Sequence, residues 1–268
     1  MASTFERNDA RKGGKAHGHR RFPRRPETLA QKDSGDWIWG WHAVEAALAN
    51  PRRGAPLRLL ASPERARQIE ARFGPIDALE VADAGRIAQM LPQGAAHQGV
   101  ALHAGPLEGA DLEAFEAVPG ALVLMLDQVT DPQNVGAILR SAAAFGAAGV
   151  VLQERHAPRI TGALAKAAAG ALERMPIARV VNLSRALESL AEAGWRTVGL
   201  TGDAERPLAE VLDGRATVLV LGSEGEGLRR LVGEHCDELA RIPMPGGFES
   251  LNVAAAAAVA LYEAARPR

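Results

Sequence analysis

The residues best suited to bind a ligand lie in two loops near the end of the chain. One loop holds Gly222, Glu224 and Gly227, and the other begins with Ile242-Pro243-Met244 and continues into the segment 249–252. Both loops follow apolar runs that predict strands. In α/β proteins, loops at the carboxyl ends of strands bring backbone N–H groups and helix N-termini around a ligand, and glycine lets the backbone approach it closely. We therefore expect the functional site in this region, with Glu224 as a carboxylate within it.

A third polar segment follows the earlier apolar run 121–126. Asp131 and Pro132 form a helix-start signal, which predicts Asn134 near the amino end of a helix and Arg140 nearly two turns later. Both side chains could reach a shared cleft. A capped helix with a solvated arginine explains this segment equally well.

The two later segments also have purely structural explanations. The 222–227 loop is not a dinucleotide fingerprint and lacks the Gly-Lys-Ser/Thr of a phosphate loop, so a strand-to-helix turn is enough to explain it. Ser250 or Asn252 could be the N-cap of the alanine-rich final helix. The histidines show no triad spacing relative to Ser250, and no Cys/His pair has zinc-ligand spacing, so we expect no metal.

The elements that must position these segments form two α/β units. Residues 36–105 predict a compact unit with strands at 57–61, 78–81 and 99–103 and helices at 44–48, 63–72 and 84–91. Residues 106–119 predict a linker with one short helix around 112–117. Residues 120–268 predict a second unit with strands at 121–126, 149–152, 178–181, 196–200, 217–221 and 238–242. Near-continuous apolar strands alternating with helices predict a mostly parallel sheet covered on both faces.

Three tryptophans mark the start of the first unit. Trp37, Trp39 and Trp41 recur with a period of two, which predicts that their rings share one face of a strand. Such a face could be a base-stacking platform, but packing in a core or an interface is favoured.

The charge distribution is uneven along the chain. Residues 1–35 hold nine Lys and Arg against four acids, a balance of +5, whereas the whole chain carries −1 and the remainder therefore −6. Because this segment has few large apolar residues, we expect a disordered basic arm. Such an arm could contact RNA or DNA phosphates, or it could be a solubilising tail.

Composition narrows the class of protein. The chain has 268 residues, of which 47% are apolar and 24% charged, and this favours a globular protein of one large domain or two ordinary ones. Cys236 is the sole cysteine, so no internal disulfide framework exists. No apolar run approaches the roughly 20 residues of a membrane span, and the basic amino terminus lacks the apolar core of a secretory signal. We expect a cytoplasmic protein with no membrane contact.

In their order and spacing, the three segments resemble the motifs of the SpoU, or TrmH-type, RNA ribose 2′-O-methyltransferases of the SPOUT superfamily. The residues that match the family pattern are Asn134, Arg140, Glu224, Ser250 and Asn252. Trp39-Gly40, the segment 44–48 and the segment 97–100 are similar to the amino-terminal substrate-binding domain of the RlmB-like branch. The resemblance covers residues 37–268.

The resemblance implies a carboxy-terminal domain with a deep trefoil knot that binds S-adenosylmethionine, in an obligate homodimer. Knotted chains are so rare that pattern alone argues against one, so this expectation comes entirely from the family. Carried over by position, the cofactor contacts would be Thr201, Gly202, Gly222, Ile242, Met244 and Leu251.

The implied reaction is attack of a ribose 2′-hydroxyl on the sulfonium methyl, in which positioning does much of the work. The family mechanism makes the equivalent of Arg140 the proton acceptor, yet a guanidinium has a pKa above about 12. We therefore assign Arg140 to the adjacent RNA phosphate and to steering the hydroxyl. Asn134, Glu224, Ser250 and Asn252 would orient Arg140, the ribose and the loops by hydrogen bonds.

The amino-terminal unit favours a guanosine of 23S rRNA as the target, with a tRNA ribose as the alternative. A non-catalytic RNA-binding or ribosome-assembly factor is a second alternative, although all five polar motif residues are present. A Rossmann-type nucleotide enzyme would need a glycine fingerprint after its first strand, and the segment 127–134 has none.

Overall fold

The computed structural model describes residues 37–247 and 250–266, which form two sheets. The basic arm predicted for residues 1–35 lies outside the described residues. The first sheet has four strands in the order β1-β4-β2-β3, in which β2 and β3 are parallel and the other pairs antiparallel. Its elements are β1 (Trp37–Trp39), α1 (Trp41–Ala49), β2 (Arg58–Ala61), α2 (Pro63–Phe73), β3 (Leu79–Val81), α3 (Ala84–Gln89) and β4 (Val100–His103).

The second sheet has six strands in the order β10-β8-β9-β5-β6-β7, and every neighbouring pair is parallel. Its strands are β5 (Leu122–Leu126), β6 (Gly149–Gln153), β7 (Ile177–Val180), β8 (Arg196–Leu200), β9 (Thr217–Leu221) and β10 (Glu238–Ala240). Its helices are α4 (Pro132–Ala144), α5 (Gly162–Ala167), α6 (Leu183–Glu192), α7 (Leu208–Val211), α8 (Arg230–Glu234) and α9 (Val253–Ala265). The prediction of an α/β protein with a parallel carboxy-terminal sheet and a smaller amino-terminal unit is confirmed. The trefoil knot stays a prediction.

Burial on both faces explains the composition of the central strands. Every residue of β5 and β9 is buried. Leu124 packs with Ile138 of α4 and Leu261 of α9 on one face, while Met125 packs with Leu187 of α6 on the other. Because both sides of each strand meet helices, an uninterrupted apolar run suits these strands better than an alternating one.

The prediction that three tryptophans share a strand face is wrong. The strand ends at Trp39, Gly40 takes a φ of 89°, and Trp41 begins helix α1. The left-handed backbone at Gly40, which glycine adopts without a steric penalty, interrupts the period of two. Trp39 is buried, Trp37 stacks on His103, and Trp41 lies 4.5 Å beneath the Arg65 guanidinium. Packing therefore accounts for these rings.

The segment between the two sheets is folded onto the second one. A short 3₁₀ helix spans Leu112–Ala114, where the sequence predicted a helix around 112–117. The backbone N–H of Ala110 donates to the carbonyl of Ile177 over 2.8 Å, and the ring of Phe115 packs over Gly149. The domain boundaries at 36, 106 and 120 stay predictions. Within the described part of the chain, no helix has the length and apolarity needed to cross a bilayer.

Candidate active site

Three of the loops named from the sequence open at one edge of the second sheet. Strands β10, β8 and β9 are adjacent and parallel, so the loops that follow them emerge side by side. These loops carry Thr201 and Gly202 after β8, Gly222 after β9, and Ile242 and Met244 after β10. The backbone N–H of Thr201 donates to the carbonyl of Ala240 over 3.0 Å, which ties the start of the first loop to the end of β10. The carboxyl edge of a parallel sheet is where ligands bind in this class of fold.

The loop after β9 is a narrow turn that presents Glu224. Ser223 and Gly227 exchange backbone hydrogen bonds of 3.1 and 3.0 Å, and Gly225 and Gly227 take φ values of 90° and 67°. A Cβ added to Gly222 would lie 2.0 Å from the carbonyl carbon of Gly227. Glycine at position 222 is therefore required by close backbone packing, whereas the sequence suggested only that it could let a ligand approach.

Asn134, Glu224 and Asn252, one from each motif, form a single hydrogen-bonded cluster. Oε1 of Glu224 accepts from the side-chain amide of Asn134 over 3.3 Å, from the side-chain amide of Asn252, and from the backbone N–H of Val253 over 3.2 Å. The amide of Asn252 also donates to Oδ1 of Asn134 over 3.0 Å. We call these three residues the polar cluster. It joins segments that are 90 and 118 positions apart in the chain.

The structural explanations offered for two of these segments also hold. Asp131 caps α4 by accepting from the backbone N–H groups of Gln133 and Asn134, at 3.1 and 3.3 Å. Asn252 caps α9 through Oδ1, which accepts from the N–H groups of Ala254 and Ala255 at 3.0 and 3.3 Å. Asn252 is thus an N-cap and a member of the polar cluster at the same time, because its amide nitrogen is free to donate when its oxygen caps the helix.

Ser250 and Leu251 are both exposed, and the latter has 41% of its surface accessible. The hydroxyl of Ser250 makes no hydrogen bond with the residues that the structure describes. Ile242 and Met244 are half-buried, and Ile242 packs against the core of the second sheet. In the chain, these residues lie between β10 and the start of α9.

Arg140 lies apart from the polar cluster. It is six residues beyond Asn134 on α4, which corresponds to about 9 Å along the helix axis. Within the residues described, no hydrogen bond joins it to the cluster. It lines a groove between the two α/β units instead, together with His42 and Arg174. The sequence left open that Asn134 and Arg140 share a cleft, and the structure does not bring them together in one chain.

Asp127 and Arg229 form an ion pair that the sequence reasoning missed. Asp127 directly follows β5 and is fully buried. Its carboxylate accepts from the backbone N–H of Arg229 over 3.0 Å and from Nε of the same residue over 2.8 Å. The guanidinium also donates to Gln153 over 3.1 Å. This pair anchors the carboxyl end of the Glu224 loop. An aspartate directly after a wholly apolar strand was the sequence feature that could have indicated it.

Cys236 lies beside Gly199 of β8 and is not a candidate nucleophile. Burial, together with the nearby carboxylates of Asp237 and Asp127, raises the pKa of its thiol to about 12. Since the thiolate is the reactive form, this thiol is chemically inert near neutral pH.

The chain is similar to several known proteins. Residues 121–262 match the model of the SpoU rRNA methylase family. An uncharacterised tRNA/rRNA methyltransferase from Synechocystis sp. is 38% identical over 259 residues, covering 92% of this chain and 67% of that protein. Against mycobacterial tRNA/rRNA methyltransferases, also uncharacterised, the chain is 44–47% identical and spans only about 57% of their length.

Solved structures resemble both sheets together. The SpoU methyltransferase AviRb from Streptomyces viridochromogenes, in complex with the cofactor AdoMet, is 26% identical with a TM-score of 0.71, over 86% of this chain and 89% of that one. An AdoMet-bound rRNA methyltransferase from Sinorhizobium meliloti is 26% identical with a TM-score of 0.71, over 86% of each chain.

Proposed function

Because this chain belongs to the SpoU rRNA methylase family, we propose that it transfers the methyl group of S-adenosylmethionine to a ribose 2′-hydroxyl of RNA. One observation carries the proposal. The polar cluster assembles Asn134, Glu224 and Asn252 at the edge of the sheet where the loops after β8, β9 and β10 open. Three polar residues of three separate motifs would have no reason to converge there if each were only a helix cap or a turn.

The loops at this edge suit S-adenosylmethionine, which two of the similar structures contain. Thr201, Gly202, Gly222, Ile242, Met244 and Leu251 are the residues that would hold it. They offer backbone N–H groups, small side chains and apolar surface, which match a ligand with an adenine ring and a methionine chain. When bound, the cofactor supplies a methyl group on a positively charged sulfur.

The chain's own residues would position the reacting ribose. Arg140 is exposed and would bind a phosphate next to the target nucleotide and so orient the 2′-hydroxyl. A guanidinium stays protonated at neutral pH, so we assign Arg140 to binding and not to proton removal. The polar cluster, with Ser250 at its edge, would hold the ribose and the loops by hydrogen bonds. In-line transfer gains much of its rate from such orientation.

A guanosine of 23S rRNA is the target we propose, and the amino-terminal α/β unit supports it because that unit resembles the RlmB-like branch. The relatives named above are labelled tRNA/rRNA methyltransferases, so a tRNA ribose is the alternative. A non-catalytic RNA-binding factor is disfavoured because the whole polar cluster is present.

A homodimer is the proposed assembly. Ala255, Val259 and Tyr262 are exposed on one side of α9, at positions separated by four and three residues. Leu251 is exposed close to the start of that helix. A second copy could cover this face and bring its own Arg140 to the polar cluster. We further propose that the enzyme works in the cytoplasm and that residues 1–35 add affinity for RNA phosphates.

The test is methyl transfer from labelled S-adenosylmethionine to unmodified total RNA, with the modified ribose mapped by sequencing. Arg140→Ala is compared with Arg67→Ala, which removes an equal charge from an exposed site on α2. Label at one large-subunit guanosine that depends on Arg140 supports the proposal in full. Label in tRNA keeps the chemistry and overturns the target. Cofactor binding without label on any RNA, assembling ribosomal particles included, overturns the enzymatic function.

A further inference from the structure

The two α/β units meet along a groove whose lining is positively charged. The groove is open to solvent, has a volume of about 300 Å³ and is lined by His42, Glu45, Arg72, Arg140 and Arg174, among others. Glu45 forms an ion pair with Arg72. Within residues 37–247 and 250–266, no carboxylate lies at ion-pair distance from Arg140 or Arg174. Two exposed guanidinium groups are therefore available to an anion.

We propose that this groove binds the phosphodiester backbone of the RNA substrate and that Arg174 is a phosphate ligand beside Arg140. The proposal rests on the proposed function, because it takes RNA as the substrate. Guanidinium groups bind phosphate through charge-assisted and often bidentate hydrogen bonds. Contacts of this kind fix the register of a nucleic acid without reading its bases. Arg174 would thus help to set which ribose reaches the polar cluster.

A buried ion pair at the neighbouring residue fixes the position of Arg174 at the groove. The preceding residue, Glu173, has a side chain only 3% exposed, and its carboxylate accepts from Nη2 of Arg53 over 2.7 Å and from the amide of Asn50 over 2.8 Å. Arg52 also donates to the backbone carbonyl of Glu173 over 3.1 Å. Because Glu173 is fixed inside the protein by the first unit, the adjacent Arg174 is held at the surface where the two units meet.

Close backbone contact at the same place keeps the groove narrow. Gly170 takes a φ of 89°, and a Cβ there would lie 2.9 Å from Cβ of Ala46 and 3.1 Å from the carbonyl oxygen of His42. Ala143 and Ala168 complete a lining of small side chains. Since most of the other lining residues are small, the arginine side chains are the main groups that a ligand in the groove would meet. Positive charge of this kind suits a sugar–phosphate ligand.

Arg174→Ala tests this inference through RNA affinity and its dependence on salt. The probe is a fluorescein-labelled, single-stranded 20-nucleotide RNA of mixed sequence, titrated at several salt concentrations between 50 and 200 mM. Loss of one charge-assisted contact should weaken binding about tenfold or more and reduce the slope of log K against log salt by about 0.7. Arg174→Lys should restore the slope, because lysine keeps the charge. Cofactor affinity and melting temperature should not change, since Arg174 is exposed.

Arg67→Ala is the matched control, because it removes an exposed arginine of the first unit that does not line the groove. If Arg174→Ala and Arg67→Ala bind RNA alike while the wild type methylates RNA, the groove proposal is wrong and the proposed function stands. If the wild type neither binds nor methylates RNA, both fail. If poly-L-glutamate binds with the same dependence on Arg174 as RNA, the groove takes an acidic protein and the assignment to RNA is overturned.

Discussion

The side-chain amide of Asn252 donates a hydrogen bond to the side-chain oxygen of Asn134 over 3.0 Å, although 118 positions separate the two residues. Asn252 also begins α9, and Asn134 lies in the first turn of α4. The amino ends of two packed helices are thereby joined to each other and to Glu224. Glu224 and Asn252 are exposed and Asn134 is only half-buried, so changes in the polar cluster should affect function more than stability.

Glu224→Gln should lower methyl transfer by about tenfold to a hundredfold. The carboxylate accepts three hydrogen bonds at one oxygen, and a neutral amide would weaken contacts that are worth about 1.5–3 kcal/mol when one partner is charged. Single-turnover kinetics with saturating cofactor measure the effect. Since Glu224 is exposed, the melting temperature should change little.

Glu226→Gln is the control for that experiment. Glu226 is exposed in the same loop, and its side chain makes no hydrogen bond with the described residues. Its substitution should leave the rate within about twofold, since surface changes of this kind are usually worth under 0.5 kcal/mol. Equal losses in the two variants would show that the net charge of the loop matters and the polar cluster does not.

Gly222→Ala should destroy the loop geometry and cofactor binding together. The new Cβ would lie 2.0 Å from the carbonyl carbon of Gly227, and backbone atoms cannot move aside cheaply. We expect an overpacking cost of about 1–3 kcal/mol and loss of binding by calorimetry. Gly246→Ala, in open space after β10, should have neither effect. Normal cofactor affinity in Gly222→Ala would place the cofactor away from this loop.

The parallel sheet could be predicted because its strands are continuous apolar runs, and those at 196–200 and 217–221 coincide with the observed strands. The position of Trp41 could not be predicted, because the alternation of tryptophans does not reveal the left-handed backbone at Gly40. The polar cluster required tertiary contacts between residues 28 to 118 positions apart, so spacing alone left each motif open to a structural explanation. The separation of Arg140 from the cluster likewise depends on how α4 packs, since periodicity alone left both a shared cleft and a solvated arginine possible.

Removing one member of the buried Arg53–Glu173 pair should strongly destabilise the protein. Both side chains are under 5% exposed, and a buried charge left without its partner costs about 3–5 kcal/mol. Chemical denaturation of Glu173→Gln measures the loss. The double variant Arg53→Met/Glu173→Gln should be less destabilised than the sum of the single variants, because no charge is then left unpaired. Arg58→Ala, which breaks a surface pair with Glu80, should cost much less. Additive losses would mean that the pair contributes only packing.

The thiol of Cys236 should make stability fall at alkaline pH. Its pKa is raised to about 12 in the folded protein, against an ordinary value near 9. Above pH 9 the unfolded chain releases this proton while the folded chain keeps it, so the contribution is complete below pH 9 and is lost as pH rises towards 12. Between pH 8 and pH 10, the wild type should lose about 1 kcal/mol more than Cys236→Ser. Parallel pH profiles for the two proteins would contradict this shift.

If the site is shared between subunits, a heterodimer made of two different inactive variants should be active. Arg140 does not contact the polar cluster of its own chain, so in a symmetric dimer it could serve the cluster of its partner. Arg140→Ala and Asn252→Ala, each inactive alone, would be co-expressed with different tags and the heterodimer purified through both. In that heterodimer, one site combines an intact Arg140 with an intact Asn252 and the other has neither, so about half of the wild-type rate is expected. If each chain uses its own Arg140, both sites are defective and the heterodimer stays inactive. A single-chain mass by light scattering would rule out the shared site directly.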